Sequence, residues 1–393
     1  MNSIERRALG GLASLYVFRM LGLFMVLPVL TVYGEGYRDS TPMLLGLAMG
    51  AYGLSQALLQ IPLGLLSDRW GRKPVIYTGL ALFAIGSVVA AQTDSVYGLI
   101  VGRILQGCGA IAAAVMALVA DLTRDEKRGI AMAVIGASIG VAFMLAVILG
   151  PALAGAGGLP AIFWLTSGLA VLGMLLVWRI VPTPQVAKRP AVFSGGFRKV
   201  LGSGLTWRLV SGAFFSHLLL TAMFVALPLV LVDRLGWPAE EHWKLYGPLM
   251  LGTFILMLPL MRVAERSGKA GTALNFACVA LAGGSAALLP MNGPVAVVLL
   301  LGIFFTGFNL LEALLPAQLT RKAPEDARGA ASGLYATLQF FGTFVGGSLG
   351  GYLFGLGGAG AVAWLGFIVL SAWLLLWWLL PERASDAREG SAY

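Results

Sequence analysis

The chain has 393 residues, 58% of them hydrophobic and 11% charged, where soluble domains carry roughly 25% charged residues. That balance excludes a water-soluble globule, and two cysteines exclude a disulfide or metal framework. The net charge of +9 is spread through the loops rather than gathered into a patch, so no nucleic-acid partner is implied.

Apolar windows long enough to cross about 30 Å of hydrocarbon occupy residues 11–34, 43–66, 75–92, 97–120, 130–152, 160–181, 207–233, 243–264, 273–290, 294–319, 329–355 and 359–380. The first follows Arg6 and Arg7 and carries Arg19. Its apolar stretch is too long for a signal peptide and no small-residue cleavage site follows, so it reads as a retained helix. Span 2 holds Tyr52, Ser55, Gln56 and Gln60, with the glutamines four apart on one face. Then comes "GLLSDRWGRKPV" (64–75), where Asp68, Arg69, Arg72 and Lys73 crowd a short loop; Gly64 allows close helix approach and Gly71 a positive φ. Span 4 carries Arg103 and Gln106 one turn apart, with Asp121 at its foot. Cys108 and Cys278 fall within spans and read as small packing residues. A linker rich in Pro, Gly and basic residues, 182–206, separates spans 6 and 7. Its "GGFRKVL" suits a short amphipathic helix on anionic lipid or a solvated loop. Span 7 carries His217, span 10 Asn309 and Glu312, span 11 Tyr335 and Gln339. After Leu380 only a short tail remains, 381–393.

Of the 27 lysines and arginines, 22 fall on one side of this topology and three, Arg38, Arg234 and Lys244, on the other. Such a bias places both termini in the cytoplasm. The halves also repeat: "IPLGLLSDRWGR" (61–72) lies over "LPLMRVAERSGK" (258–269), and "FMVLPVL" (24–30) over "FVALPLV" (224–230). Residues 1–181 and 207–380 therefore read as two pseudo-symmetric six-helix bundles in an all-α membrane protein.

Arg19, Arg103 and Glu312 are the charges inside the spans, with His217 a titratable neighbour. An Arg or Asp near the bilayer centre costs about 2.5 to 3.5 kcal/mol, so each should face a wet cavity or another charge. Counted at 1.5 Å per residue, Arg19 and Glu312 sit at about the same depth, 10 to 12 Å from the cytoplasmic end. They are expected to pair. Burial favours a neutral acid and a guanidinium favours its carboxylate, so a moving cavity that alters the pairing can load and release a proton. A structural salt bridge is the alternative. For Arg103 the alternative is snorkelling to the outer interface, and for His217 a satisfied hydrogen-bonding role.

"GLLSDRWGRKPV" resembles the loop signature of the major facilitator superfamily, over a fold that would cover residues 10–380. "LIVGRILQGCGAIAA" (99–113) resembles the fourth-helix motif of its drug/proton antiporter branch, with Arg103, Gln106, Gly107 and Gly109 in place. "LGLFMVLPVL" (21–30) is similar to that branch's first-helix motif, with Leu30 where a second proline is usual. Gly136, Gly140, Gly150 and Pro151 match the fifth-helix motif in part, with stretched spacing. The resemblance implies a conformational latch of Gly64, Asp68, Arg69, Gly71, Arg72 and Lys73. Asp68 would approach residues 329–331 at the start of the eleventh helix, and Arg72 would pair with Asp121. It also assigns Arg103 to proton coupling.

The expected function is a proton-coupled secondary transporter, an efflux antiporter of an amphiphilic small molecule. It would be a monomer in a bacterial inner membrane, with lipid, protons and substrate as partners. The expected cavity residues are Tyr52, Gln56, Gln60, Gln106, Asn309, Tyr335 and Gln339. A metabolite or sugar symporter and a non-transporting sensor are the alternatives. No cofactor is implied: a G-x-x-x-x-G-K-[ST] loop, an H-E-x-x-H helix and paired intramembrane aspartates are all missing from the sequence, which argues against an enzyme.

Overall fold

The computed structural model describes residues 1–183, 194–266, 270–290, 293–323 and 327–380. The tail 381–393, residues 184–193 of the linker and residues 267–269 of the second-half repeat lie outside them. Within them the chain is helical, and its only β contact is an isolated bridge between Arg38 and Ser95. The first four crossings are α1 (Ser3–Phe24), α2 (Pro42–Trp70), α3 (Arg72–Gln92) and α4 (Val96–Asp121). Asn2 and Glu5 form a capping box at the start of α1, and the Thr41 hydroxyl accepts from the Leu44 amide at the start of α2.

A 55-residue helical run, Asp125–Arg179, follows. Straight, it would be about 82 Å long, far more than one crossing of about 30 Å needs. It folds back at Gly157 and Gly158, and the φ of +67° at Gly158 is one that side chains resist. The bend separates α5 (125–156) from α6 (159–179). The second half repeats the device: after α7 (Gly204–Arg234), α8 (Trp243–Arg266), α9 (Ala270–Leu288) and α10 (Pro294–Lys322), the run Arg328–Leu379 turns at Gly357 and Gly358, φ +63°. That gives α11 (328–356) and α12 (359–379), and twelve crossings. An even number puts α1's start and α12's end on one face, here the terminal face; the opposite side is the far face.

Three boundaries differ from the sequence reading. The motif 64–75 is not a loop between spans: α2 continues to Trp70 and α3 begins at Arg72, so Asp68 and Arg69 lie in α2's last turn and only Gly71, φ +100°, breaks the helix. Solvated charges let that helix run on past the bilayer. Span 4 is not continuous either. It ends a first helix at Cys108 and starts a second at Ala112. Span 1 is likewise interrupted after Phe24 and resumes as the short helix Leu30–Gly34. In the linker, Ser194–Leu201 is helical.

Large apolar side chains such as Val295 (73% exposed), Leu356 (68%) and Trp378 (78%) cover the outside, as lipid contact requires. Between the halves, α2 packs on α11 through glycine. A Cβ on Gly46 would lie 2.3 Å from the Gly347 carbonyl oxygen, and one on Gly50 2.7 Å from that of Phe344. Without a hydrophobic drive between helices in lipid, backbone proximity of this kind supplies the attraction. The seam loosens toward the terminal face. A Cβ on Gly333 of α11 would meet only Ile61, at 3.8 Å, and one on Gly129 or Gly136 of α5 would meet nothing within 4 Å. The molecule is closed at the far face and parted at the terminal face.

Candidate functional site

Two polar clusters flank the seam, a buried one in the first half and a half-buried one in the second. In the first, Arg19 of α1 is 3% exposed, and its Nη2 donates to the Tyr52 hydroxyl at 3.0 Å, Gln56 Oε1 at 2.6 Å and the Gly109 carbonyl at 3.0 Å. Gln56 in turn donates to Gln60 at 3.2 Å. The Gly109 carbonyl is open to Arg19 because α4 is interrupted there. Tyr16, one turn before Arg19, reaches the same interruption by donating to the Ala112 carbonyl at 3.0 Å. Arg19 Nε and Nη1 have no hydrogen-bond partner.

The second cluster joins α7, α10 and α11. Gln339 Nε2 lies 2.9 Å from His217 Nε2 and donates to Glu312 Oε2 at 3.4 Å, while Glu312 Oε1 lies 3.6 Å from His217 Nδ1. His217 Nδ1 also faces the Ala213 carbonyl at 3.2 Å. These partners fit the neutral ring with its proton on Nδ1 and Nε2 accepting from Gln339. Asn309 donates to Thr253 of α8 at 3.2 Å, and the Tyr335 hydroxyl has no partner.

The expected pairing of Arg19 with Glu312 is therefore not made. Each side chain turns into its own half, where hydrogen-bonding groups are available. Arg103 does not snorkel. It is fully buried, donating to Gln106 at 2.8 Å and the Ala48 carbonyl at 3.4 Å, with its guanidinium 5.0 Å from the centre of the Tyr52 ring. Gln106 is fixed by Ser87 at 2.7 Å.

At the terminal face, Arg72 is the hub of the charged motif. It forms an ion pair with Asp68, donates to Asp121 at 3.1 Å and reaches the Ser67 hydroxyl at 2.7 Å; Lys73 donates to the Val181 carbonyl at 2.6 Å. Gly64 lies against Ala113, and Arg69 is exposed. No hydrogen bond among the described residues joins Asp68 to residues 329–331, because the terminal face is parted. Sequence reasoning also missed a second strap here: Glu5, 4% exposed, accepts from the Arg124 amide at 3.1 Å and from its Nε at 2.9 Å, tying α1 to the start of α5. An acid ahead of the first span and an arginine before the fifth carried no signal of their contact.

Aromatic rings bridge the halves between the two clusters. Phe143 of α5 meets Phe308 of α10 with ring centres 5.8 Å apart, and Tyr52 meets Phe340 at 6.1 Å. Phe24 stands edge-on to Phe143 at 5.0 Å, and His217 lies 5.6 Å from Phe308. The site is thus an apolar layer across the seam with a guanidinium on one side and a carboxyl–imidazole pair on the other. Among the described residues no group of His, Cys, Asp and Glu has the makings of a metal site.

Comparison with known proteins agrees with this architecture. The family model described as Major Facilitator Superfamily matches residues 12–347. The inner membrane transport protein YajR of Escherichia coli K12 is 45% identical over 94% of this chain and 82% of its own. The multidrug resistance protein MdtH of Aeromonas salmonicida is 26% identical over 89% of this chain and 88% of its own. A bacterial homologue of the human lysosomal transporter Spinster, solved inward-facing and unoccupied, superimposes with a TM-score of 0.73 at 16% identity, over 96% and 93% of the two chains.

Proposed function

The chain belongs to the major facilitator superfamily of membrane transporters, which are not enzymes, and from that premise we propose that it is a proton-coupled antiporter exporting an amphiphilic small molecule by alternating access. The observation that carries the reading is Glu312, an acid within the α10 crossing, held by Gln339 and facing His217 at 3.6 Å beside the seam. In lipid such an acid is expensive unless it does work. Protonation would remove the charge that strengthens the bond from Gln339 and leave the neutral acid a weaker acceptor, and Gln339 adjoins Phe340, which closes on Tyr52 across the seam. A proton at Glu312 thereby alters a contact between the halves.

Arg103, with Gln106, would act on the same equilibrium from the other side of Tyr52. The Asp68–Arg72–Asp121 group would be the latch, Asp68 exchanging Arg72 for the start of α11 when the terminal face closes. The basic residues crowded at that face support its placement in the cytoplasm of a bacterial cell. One chain supplies both halves, which supports a monomer. The relative named for multidrug resistance supports export.

The test is proton movement in proteoliposomes carrying an internal pH dye, with amphiphiles added under an imposed pH gradient. Native protein should exchange protons for amphiphile, and Glu312→Gln should move neither in response to the gradient. Glu312→Gln protein that answers the gradient like the native would make Glu312 structural and sink the proposal.

A further inference from the structure

We propose that the transported molecule is an amphiphilic anion whose carboxylate or phosphate docks on Arg19 at the break in α4. This rests on the transport reading and specifies its substrate class.

Arg19 is buried in the first half, and all three of its partners are neutral. Every acid of residues 1–181 lies near a helix end or in a loop: Glu5, Glu35, Asp39, Asp68, Asp94, Asp121, Asp125 and Glu126. None is at Arg19's depth. The guanidinium uses one nitrogen for its three bonds, leaving Nε and Nη1 as buried donors with nothing to donate to. A buried charge without a counter-charge is retained only where a function compensates for it.

A second, independent feature meets it there. The helix Ala112–Asp121 begins inside the membrane, and its N-cap residue, Ile111, gives no side-chain bond to the amides of the first turn. Those amides carry the positive end of the helix dipole. Arg19 holds the Gly109 carbonyl three residues before this helix begins, and Ala112 and Ala113 are partly exposed. An interrupted helix whose second segment starts at mid-membrane is a recurrent way to hold an anionic substrate group in transporters. Free amides and a guanidinium together match an oxyanion with several lone pairs. The aromatic layer beside them, Tyr52, Phe340, Phe308 and Phe143, suits the tail.

The test uses two fluorescent probes with the same tail, 11-(dansylamino)undecanoic acid and its methyl ester, titrated against the full chain in neutral detergent. Native protein should bind the acid at least about tenfold more tightly than the ester, the scale of one charge-assisted contact. Arg19→Gln should bind both alike, at the ester's level, and Arg19→Lys should keep part of the preference. Equal affinities in native protein, or no binding of either, overturn the proposal, and this arm needs no variant to fold. Discrimination that survives in Arg19→Gln overturns it too. Because no gradient is used, a protein that prefers the acid but exchanges no protons would uphold the anion site and reject proton coupling.

Discussion

Tyr52 belongs to both arginine sites and to the seam. Its hydroxyl accepts from Arg19, its ring lies under Arg103, and its edge meets Phe340 of the other half. The two functions separate by mutation. Tyr52→Phe keeps the ring but removes a hydrogen bond to a charged donor, worth about 1.5 to 3 kcal/mol. Tyr52→Leu also removes a buried cation–π contact, about 2 kcal/mol more. Thermal unfolding of detergent-purified protein should rank the variants native, Tyr52→Phe, Tyr52→Leu; equal losses for the two would deny the ring its role. How far this was legible in the sequence depends on the coordinate. Depth follows from counting residues along a helix, so Arg19 and Glu312 were both placed within the membrane. Direction around the helix axis does not, because it depends on which neighbour offers acceptors. Arg19 found Tyr52, Gln56 and a freed carbonyl in its own half, and Glu312 found His217 and Gln339.

The α2–α11 pair is the element through which the two halves pack most closely by glycine. Of the α11 glycines 346, 347, 350, 351 and 355, Gly347 and Gly351 are backbone-tight against Gly46 and Gly50 of the other half, whereas a Cβ on Gly355 would meet only Pro42 at 3.9 Å. Gly50→Leu should therefore prop the far face open at a cost of about 1 to 3 kcal/mol, the range for overpacking. A cysteine at Ser40, which lines a 220 Å³ cavity at that face with Val225 and Phe354 of the other half, should then react faster with an impermeant maleimide. An unchanged rate would mean that the seam yields elsewhere. The hydropathy pattern found the crossings but not the break in α4, since Gly109, Ala110 and Ile111 are as apolar as the helices they interrupt. The paired glycines at 157–158 and 357–358 did carry the signal of a hairpin, hidden inside continuous apolar composition.

The proposed alternating access requires that tightness at one face be exchanged for tightness at the other, and charge at the far face would give this exchange a pH dependence. Partial burial, and then the charge of Asp233 in the other half, hold the Glu35 carboxyl above its ordinary value of 4.5. An acid raised in the closed state binds its proton more tightly there than when the two halves part and Asp233 recedes. Closure of the far face should thus strengthen as pH falls through the raised value and weaken above it. Labelling of the Ser40 cysteine should be slower in acid buffer, in the range where carboxyls titrate, than in neutral buffer, beyond the reagent's own pH dependence, and Glu35→Gln should abolish the difference. At the terminal face the complementary test uses α5 and α8. A Cβ on Gly140 would meet the Phe254 ring at 3.7 Å, and one turn toward the terminal face a Cβ on Gly136 would meet nothing within 4 Å while Leu258 is 38% exposed. These antiparallel helices place residues 136 and 258 opposite each other when that face closes. In a background with Cys108 and Cys278 replaced by alanine, Gly136→Cys with Leu258→Cys should form a disulfide only in the closed state, because the bond needs Cβ atoms about 3.5 to 4.5 Å apart. Gly50→Leu, which loosens the far face, should speed the cross-link. Asp68→Asn should slow it, since the acid is the group proposed to dock on α11 when the terminal face shuts, and a contact made in one state only biases the equilibrium toward that state. If all three proteins cross-link at one rate, the two faces are not coupled, and the halves do not rock as rigid units about the α2–α11 seam.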